Sequence, residues 1–170
     1  MGLRSWWGRR RDVDDDVAPV PPAPTEDDIL AALEKVAVML RDGNAPPVVT
    51  SRVDRISRTI RDTLPRLRNL GLGSNDAYSV VATATDYLPE AVGGYLRLPR
   101  DWADTRPIDG YKTSLMVLVD QLELLSATMV KILDAATRAD AQALLVHGRF
   151  LEAKFGASAD GGPDLTLGTP

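Results

Sequence analysis

The sequence predicts an all-α protein, an antiparallel bundle of about five helices flanked by disordered N- and C-terminal tails. Three observations carry this. Apolar residues recur at steps of three and four through the middle of the chain. Aromatic residues make up only 5% of a composition that is 44% hydrophobic, so a core must rest on Leu, Val, Ile and Ala, which favours helices over a sheet. Proline and glycine cluster between the periodic stretches, where they act as stops.

Residues 1–24 read as a disordered tail. The basic block Arg9, Arg10 and Arg11 meets the acidic Asp12 to Asp16, and Pro21, Pro22 and Pro24 close the segment in a form hostile to helix and sheet. Residues 157–170, rich in Gly, Ser, Asp and Pro, read as a second tail. Between them, 25–156 is the expected bundle domain. Thr25 is the expected N-cap of the first helix, with Glu26, Asp27 and Asp28 at its positive end. Leu30, Leu33, Val36 and Leu40 follow as its stripe, and Gly43 with Pro46 stops it. The second helix starts near Pro47 and carries Val49, Val53, Ile56, Ile60 and Leu64, a narrow coiled-coil-like seam ended by Pro65 and the Gly71/Gly73 turn.

Ser74 is the expected cap of a third helix, with Ala77, Val81, Ala84, Leu88, Ala91, Tyr95 and Leu98 on one face and a kink at Pro89. Residues 99–110 read as a loop in which Trp102 covers one end of the bundle. The fourth helix runs from about Thr113 to Ala136 on Leu115, Leu118, Leu122, Leu125, Met129 and Leu133. An unbroken continuation puts Asp140 on the apolar stripe, a costly burial, so a break is expected near Thr137 to Asp140. Asp140 then caps a fifth helix that buries Leu144, Leu151 and Phe155.

Several classes of chemistry are excluded early. The chain has no Cys, which removes disulfides, thiolate nucleophiles and thiolate metal sites. Its single His, His147, rules out a His-rich zinc site within one chain and lies about 60° from the centre of the last apolar stripe, where a structural role is expected. No serine has a base and orienting group at recognisable spacing, so no catalytic residue is assigned. Asp101, Asp104 and Asp109 share a loop with Glu90 near by, but Arg100 and Arg106 intervene and no calcium-loop register is present, so solvated charges are expected. No metal or cofactor is implied. No run reaches the ~20 apolar residues of a membrane span, and the first residues lack a secretory apolar core. A cytoplasmic place, with peripheral contact at the inner membrane face, is the expectation.

Two surface features point to partners. Arg52, Arg55, Arg58, Arg61, Arg66 and Arg68 stand against only Asp54 and Asp62, and the first four fan over the half of the second helix opposite its apolar seam. Guanidinium groups suit phosphate or carboxylate, so this face fits either an anionic partner or acids on neighbouring helices. The net charge of −4 argues against nucleic acid as the main partner. Trp6 and Trp7 beside Arg9, Arg10 and Arg11 suit either the interface of an anionic membrane or docking to a protein.

Tyr87-Leu88-Pro89 followed by Tyr95, a Leu-rich helix, a short break and a final amphipathic helix resembles the bromo-chloroindolyl phosphate hydrolysis (XpaC-like) family over Ser74 to Phe155. The resemblance implies a helical bundle linked with toxic-anion-resistance proteins and envelope stress, and a toxic-anion-resistance protein as partner. It implies a phosphate-ester hydrolase by name, although no phosphatase motif is present. Together these readings lead to a non-enzymatic helical interaction or scaffold protein. The alternatives are a phosphate-ester hydrolase and an anion or nucleic-acid binder using the arginine face.

Overall fold

The computed structural model describes residues 24–67 and 74–156, and these form a helical bundle with one small two-stranded hairpin. The expected tails, with Trp6, Trp7, Arg9, Arg10 and Arg11, the Gly71/Gly73 turn and Arg68 lie outside the described residues.

Helix α1 spans Glu26–Asp42. Its start is a capping box: the Thr25 hydroxyl accepts from the Asp28 N–H, and the Asp28 carboxylate accepts from the Thr25 N–H at 2.8 Å. Ile29, Leu33, Val36 and Leu40 form the buried stripe, with Leu30 only half-buried beside them. Helix α2 spans Pro47–Thr63, with Pro47 in the first turn, where its missing N–H costs no hydrogen bond. Val49, Val53, Ile56, Ile60 and Leu64 are all buried. The buried face is wider than that seam, taking in Ser57, Thr59 and Thr63. Two of these hydroxyls are satisfied within the helix, Thr59 donating to the Arg55 carbonyl and Thr63 to the Thr59 carbonyl, which makes their burial tolerable. A single 3₁₀ turn, Leu64–Arg66, follows at Pro65.

Helix α3 spans Asn75–Ala82, capped by the Ser74 hydroxyl, and α4 spans Leu88–Leu96. Between them Thr83–Tyr87 forms a π turn closed by a bond from the Leu88 N–H to the Thr83 carbonyl. The irregularity expected at Pro89 thus takes the form of a slip of the hydrogen-bond ladder one turn earlier. Proline has no N–H to give and its ring crowds the carbonyl four residues back, so a wider turn ahead of it removes the conflict. The extra residue also resets the buried face to Ala77, Val80, Ala84, Leu88, Val92 and Tyr95, leaving Val81 and Ala91 half-buried and Leu98 exposed.

Two expectations are corrected here. The expected loop at 99–110 holds helix α5, Arg100–Thr105, and strand β1, Pro107–Asp109, which pairs antiparallel with β2, Lys112–Thr113. Ala103, not Trp102, is its buried residue, and Trp102 is exposed. The expected break near Thr137 does not occur: helix α6 runs unbroken over Ser114–Phe155, 42 residues and roughly 63 Å at ~1.5 Å per residue. Nothing between Ser114 and His147 breaks a helix, and alanines at 135, 136, 139, 141 and 143 favour one. Asp140 escapes burial because the bundle ends beside it, where it pairs with Arg66 at 3.1 Å.

Successive long helices alternate in direction, so α1 and α4 run the same way, as do α2 and α6. Gly43 meets Leu96 and Gly93 meets Met39 along the first pair, and Arg52–Glu123 and Arg66–Asp140 tie the second. The α2–α6 packing is the most extensive in the bundle. Its core joins Val53, Ile56 and Ile60 to Leu118, Leu122 and Met129.

Candidate functional site

Helix α6 leaves apolar surface bare at both of its ends. Its last buried residue is Ala136, and from Thr137 to Gly156 every residue except Asp140 and Gly148 is exposed. The sequence does not turn polar to match. Leu144 is 72% exposed, Val146 66%, Phe150 56% and Phe155 60%, with Leu145 and Leu151 also open to solvent. The expected burial of Leu144, Leu151 and Phe155 is thereby overturned: the stripe that faces α2 continues past the point where α2 has ended. His147 sits on the same projecting segment, its ring stacked beside Phe150 at a centroid distance of 6.4 Å. Lys154 lies over the faces of both Phe150 and Phe155.

At the other end of α6 a groove of about 510 Å³ opens between α4 and α6 under the β-hairpin. Its walls are largely apolar, with Ala91 and Gly94 from α4, Val117 and Leu124 from α6, and Ile108 from β1. Tyr87, Leu98, Ile108 and Leu124 at its edge are exposed, Leu124 by 70%. Three polar groups enter it: the Glu90 carboxylate, the Gln121 amide and the Ser114 hydroxyl. Ser114 is 6% exposed and its Oγ has no hydrogen-bond partner, a costly state for a buried hydroxyl.

A polar network closes the same end of the bundle. The Tyr95 hydroxyl donates to Asp104 Oδ1 at 2.7 Å and accepts from Arg100 Nη1 at 3.0 Å. The other Arg100 nitrogen reaches the Gly43 and Asn44 carbonyls, which the end of α1 leaves without helical donors. Burial, reinforced by the Asp104 bond, pushes the Tyr95 phenol up to about 12. The network joins α1, α4 and α5.

The arginine face divides in two. Arg52 Nε lies 2.8 Å from Glu123 Oε1, an ion pair in which the Nε–H direction misses the carboxylate, and Arg52 Nη1 donates to the Val48 carbonyl. Arg66 binds Asp140 and the Asp62 carbonyl. Arg55, Arg58 and Arg61 are exposed and make no ion pair among the described residues. Asp101, Asp104, Asp109 and Glu90 do not gather: among the described residues no three His, Asp or Glu side chains come close enough to hold a metal ion. No described helix is long and apolar enough to cross a membrane. Sequence reasoning missed the groove and the bare end of α6. Both depend on where neighbouring helices stop, and periodicity carries no signal for that.

Comparison with protein-family models, with curated proteins and with solved structures finds no match to this chain.

Proposed function

We propose that the protein is a non-enzymatic helical interaction module whose bundle serves to hold out the last third of α6 as a docking arm. The observation that carries this reading is the unpartnered apolar stripe of Leu144, Leu151 and Phe155, with Leu145, Val146 and Phe150 exposed around the same segment, on a helix whose first half is fixed by α2 and α4. Six large apolar side chains exposed on one short segment are more than a monomer surface ordinarily leaves to water. Recognition of an amphipathic helix by another helical surface uses this spacing of anchors.

The test is a triple variant, Leu144→Lys, Phe150→Lys and Leu151→Lys. All three side chains are exposed, so the variant is expected to keep the wild-type helicity and melting temperature. It should lose, by at least tenfold, the protein ligand that the wild type retains, whether that ligand is another protein or a further copy of the chain. If wild type and variant behave alike in capture from the native host and in self-association, the arm has no docking role.

A further inference from the structure

We propose that the chain forms a two-fold dimer in which the α6 helices pair antiparallel and the projecting arm of each copy lies in the α4–α6 groove of the other. The proposal rests on the reading of α6 as an interaction surface and commits that surface to one occupant, a second copy of this chain.

Part of the bare apolar surface at each end of α6 lies on one side of the helix, Val146 and Phe150 on the arm sharing it with the groove, while Leu144, Leu151 and Phe155 lie on the other side. At about 100° per residue, Val117, Gln121 and Leu124 in the groove share a bearing, within about 40°, with Val146 and Phe150 on the arm. The arm of a chain cannot reach that chain's own groove, because Gln121 and Phe150 are held roughly 43 Å apart along an unbroken helix. A two-fold axis near Ala135 brings them together between copies, Leu124 of one falling against Val146 of the other. At the middle of that side the small, exposed Ala135 and Ala139 let the helices approach, with the longer Lys131 and Gln142 and the half-buried Thr128 around them.

Charge and hydrogen bonding agree with this pairing. Glu90 is the one carboxylate in the groove, and Arg149 and Lys154 bracket Phe150 on the arm. In the antiparallel register Lys154 falls near Ser114, whose buried hydroxyl is without a partner in the single chain. On the paired side the exposed apolar side chains Tyr87, Leu98, Ile108, Leu124, Val146 and Phe150 amount to on the order of 600 Å² per chain, against about 800 Å² per partner for a stable interface of ordinary size. The contact is reciprocal, so it closes on itself as a dimer and does not propagate into a filament.

The absence of cysteine makes the geometry directly testable. Light scattering of the full chain at tens of micromolar is expected to give twice the 18.4 kDa mass of one copy. Leu124→Glu and Phe150→Glu should each yield a monomer of unchanged helicity, because both side chains are exposed in the single chain. Glu90→Lys should weaken the dimer at least tenfold, and adding Lys154→Glu should recover most of the loss. When Leu124→Cys and Val146→Cys chains are mixed and oxidised, the disulfide should join unlike chains. A wild-type monomer at about 100 µM, or crosslinking of Leu124→Cys to its own kind in preference, overturns the proposal. If the wild type is monomeric but the triple arm variant still loses a captured protein, the dimer is wrong and the docking arm stands.

Discussion

Tyr95 is 5% exposed, yet its hydroxyl holds together three elements through Arg100 and Asp104. In the sequence it reads as one more member of an apolar stripe, and Asp104 as a solvated loop charge. What turns the pair into a network is the fold of residues 100–105 back over the end of α4, which no local pattern announces. The raised Tyr95 value has a definite consequence for stability. Between pH 10 and 12 the unfolded chain releases the phenolic proton while the folded chain keeps it. The folded state then binds more protons than the unfolded one, so stability falls as pH rises through that window. The loss is expected to be on the order of 1–2 kcal/mol. Comparing urea denaturation of wild type and Tyr95→Phe at pH 8 and pH 11.5 isolates it, because the variant lacks this part of the slope. At pH 8 the same substitution should cost about 1 kcal/mol, from the hydrogen bonds it removes.

Helix α6 shows how element boundaries depend on what surrounds them. Its N-terminus was legible, Thr113 capping it through a bond from the Met116 N–H, as Thr25 and Ser74 cap theirs. Its length was not. The expected break rested on a correct physical premise, that burying Asp140 unpaired is costly, and on a wrong geometric one, that the bundle extends that far. Because α2 ends near Arg66, Asp140 meets a guanidinium at the rim and the helix has no reason to stop. A proline at position 141 separates the two arrangements. In a helix interior it removes a hydrogen bond and clashes with the preceding turn, whereas near the start of a new helix it is tolerated. Ala141→Pro is therefore expected to accelerate amide exchange over residues 138–155 at least tenfold. The melting temperature should change by no more than about 2 °C, since residues beyond Ala136 bury little against the bundle. Unchanged exchange across that segment would mean that two helices meet there.

At the scale of the whole molecule, the buried apolar residues among those described run from Ile29 to Ala136. A chain cut to residues 25–156 is accordingly expected to melt within about 3 °C of the full-length protein, measured by circular dichroism at one protein concentration. A larger fall would place part of the cohesion in 1–24 or 157–170. Cutting further, to 25–140, should leave the monomer bundle folded as well while abolishing the arm.

The sequence by itself determined that this protein is helical, where most helices begin, and most of the apolar positions that α1 and α2 bury, with Ile29 in place of Leu30 and the hydroxyls of α2 left out. Those features are local: a side-chain oxygen reaches an N–H two or three residues on, and a 3.6-residue repeat sorts apolar groups to one side without reference to any neighbour. Tertiary structure decided the rest. It converted the Pro89 conflict into a π turn, drew Arg52 and Arg66 onto α6, and left Arg55, Arg58 and Arg61 in solvent. It also left the apolar stripe of α6 bare beyond Ala136 and opened the groove at Ser114. An apolar stripe specifies that something should cover it. Only the lengths and placements of the other helices settle whether the chain supplies that cover itself.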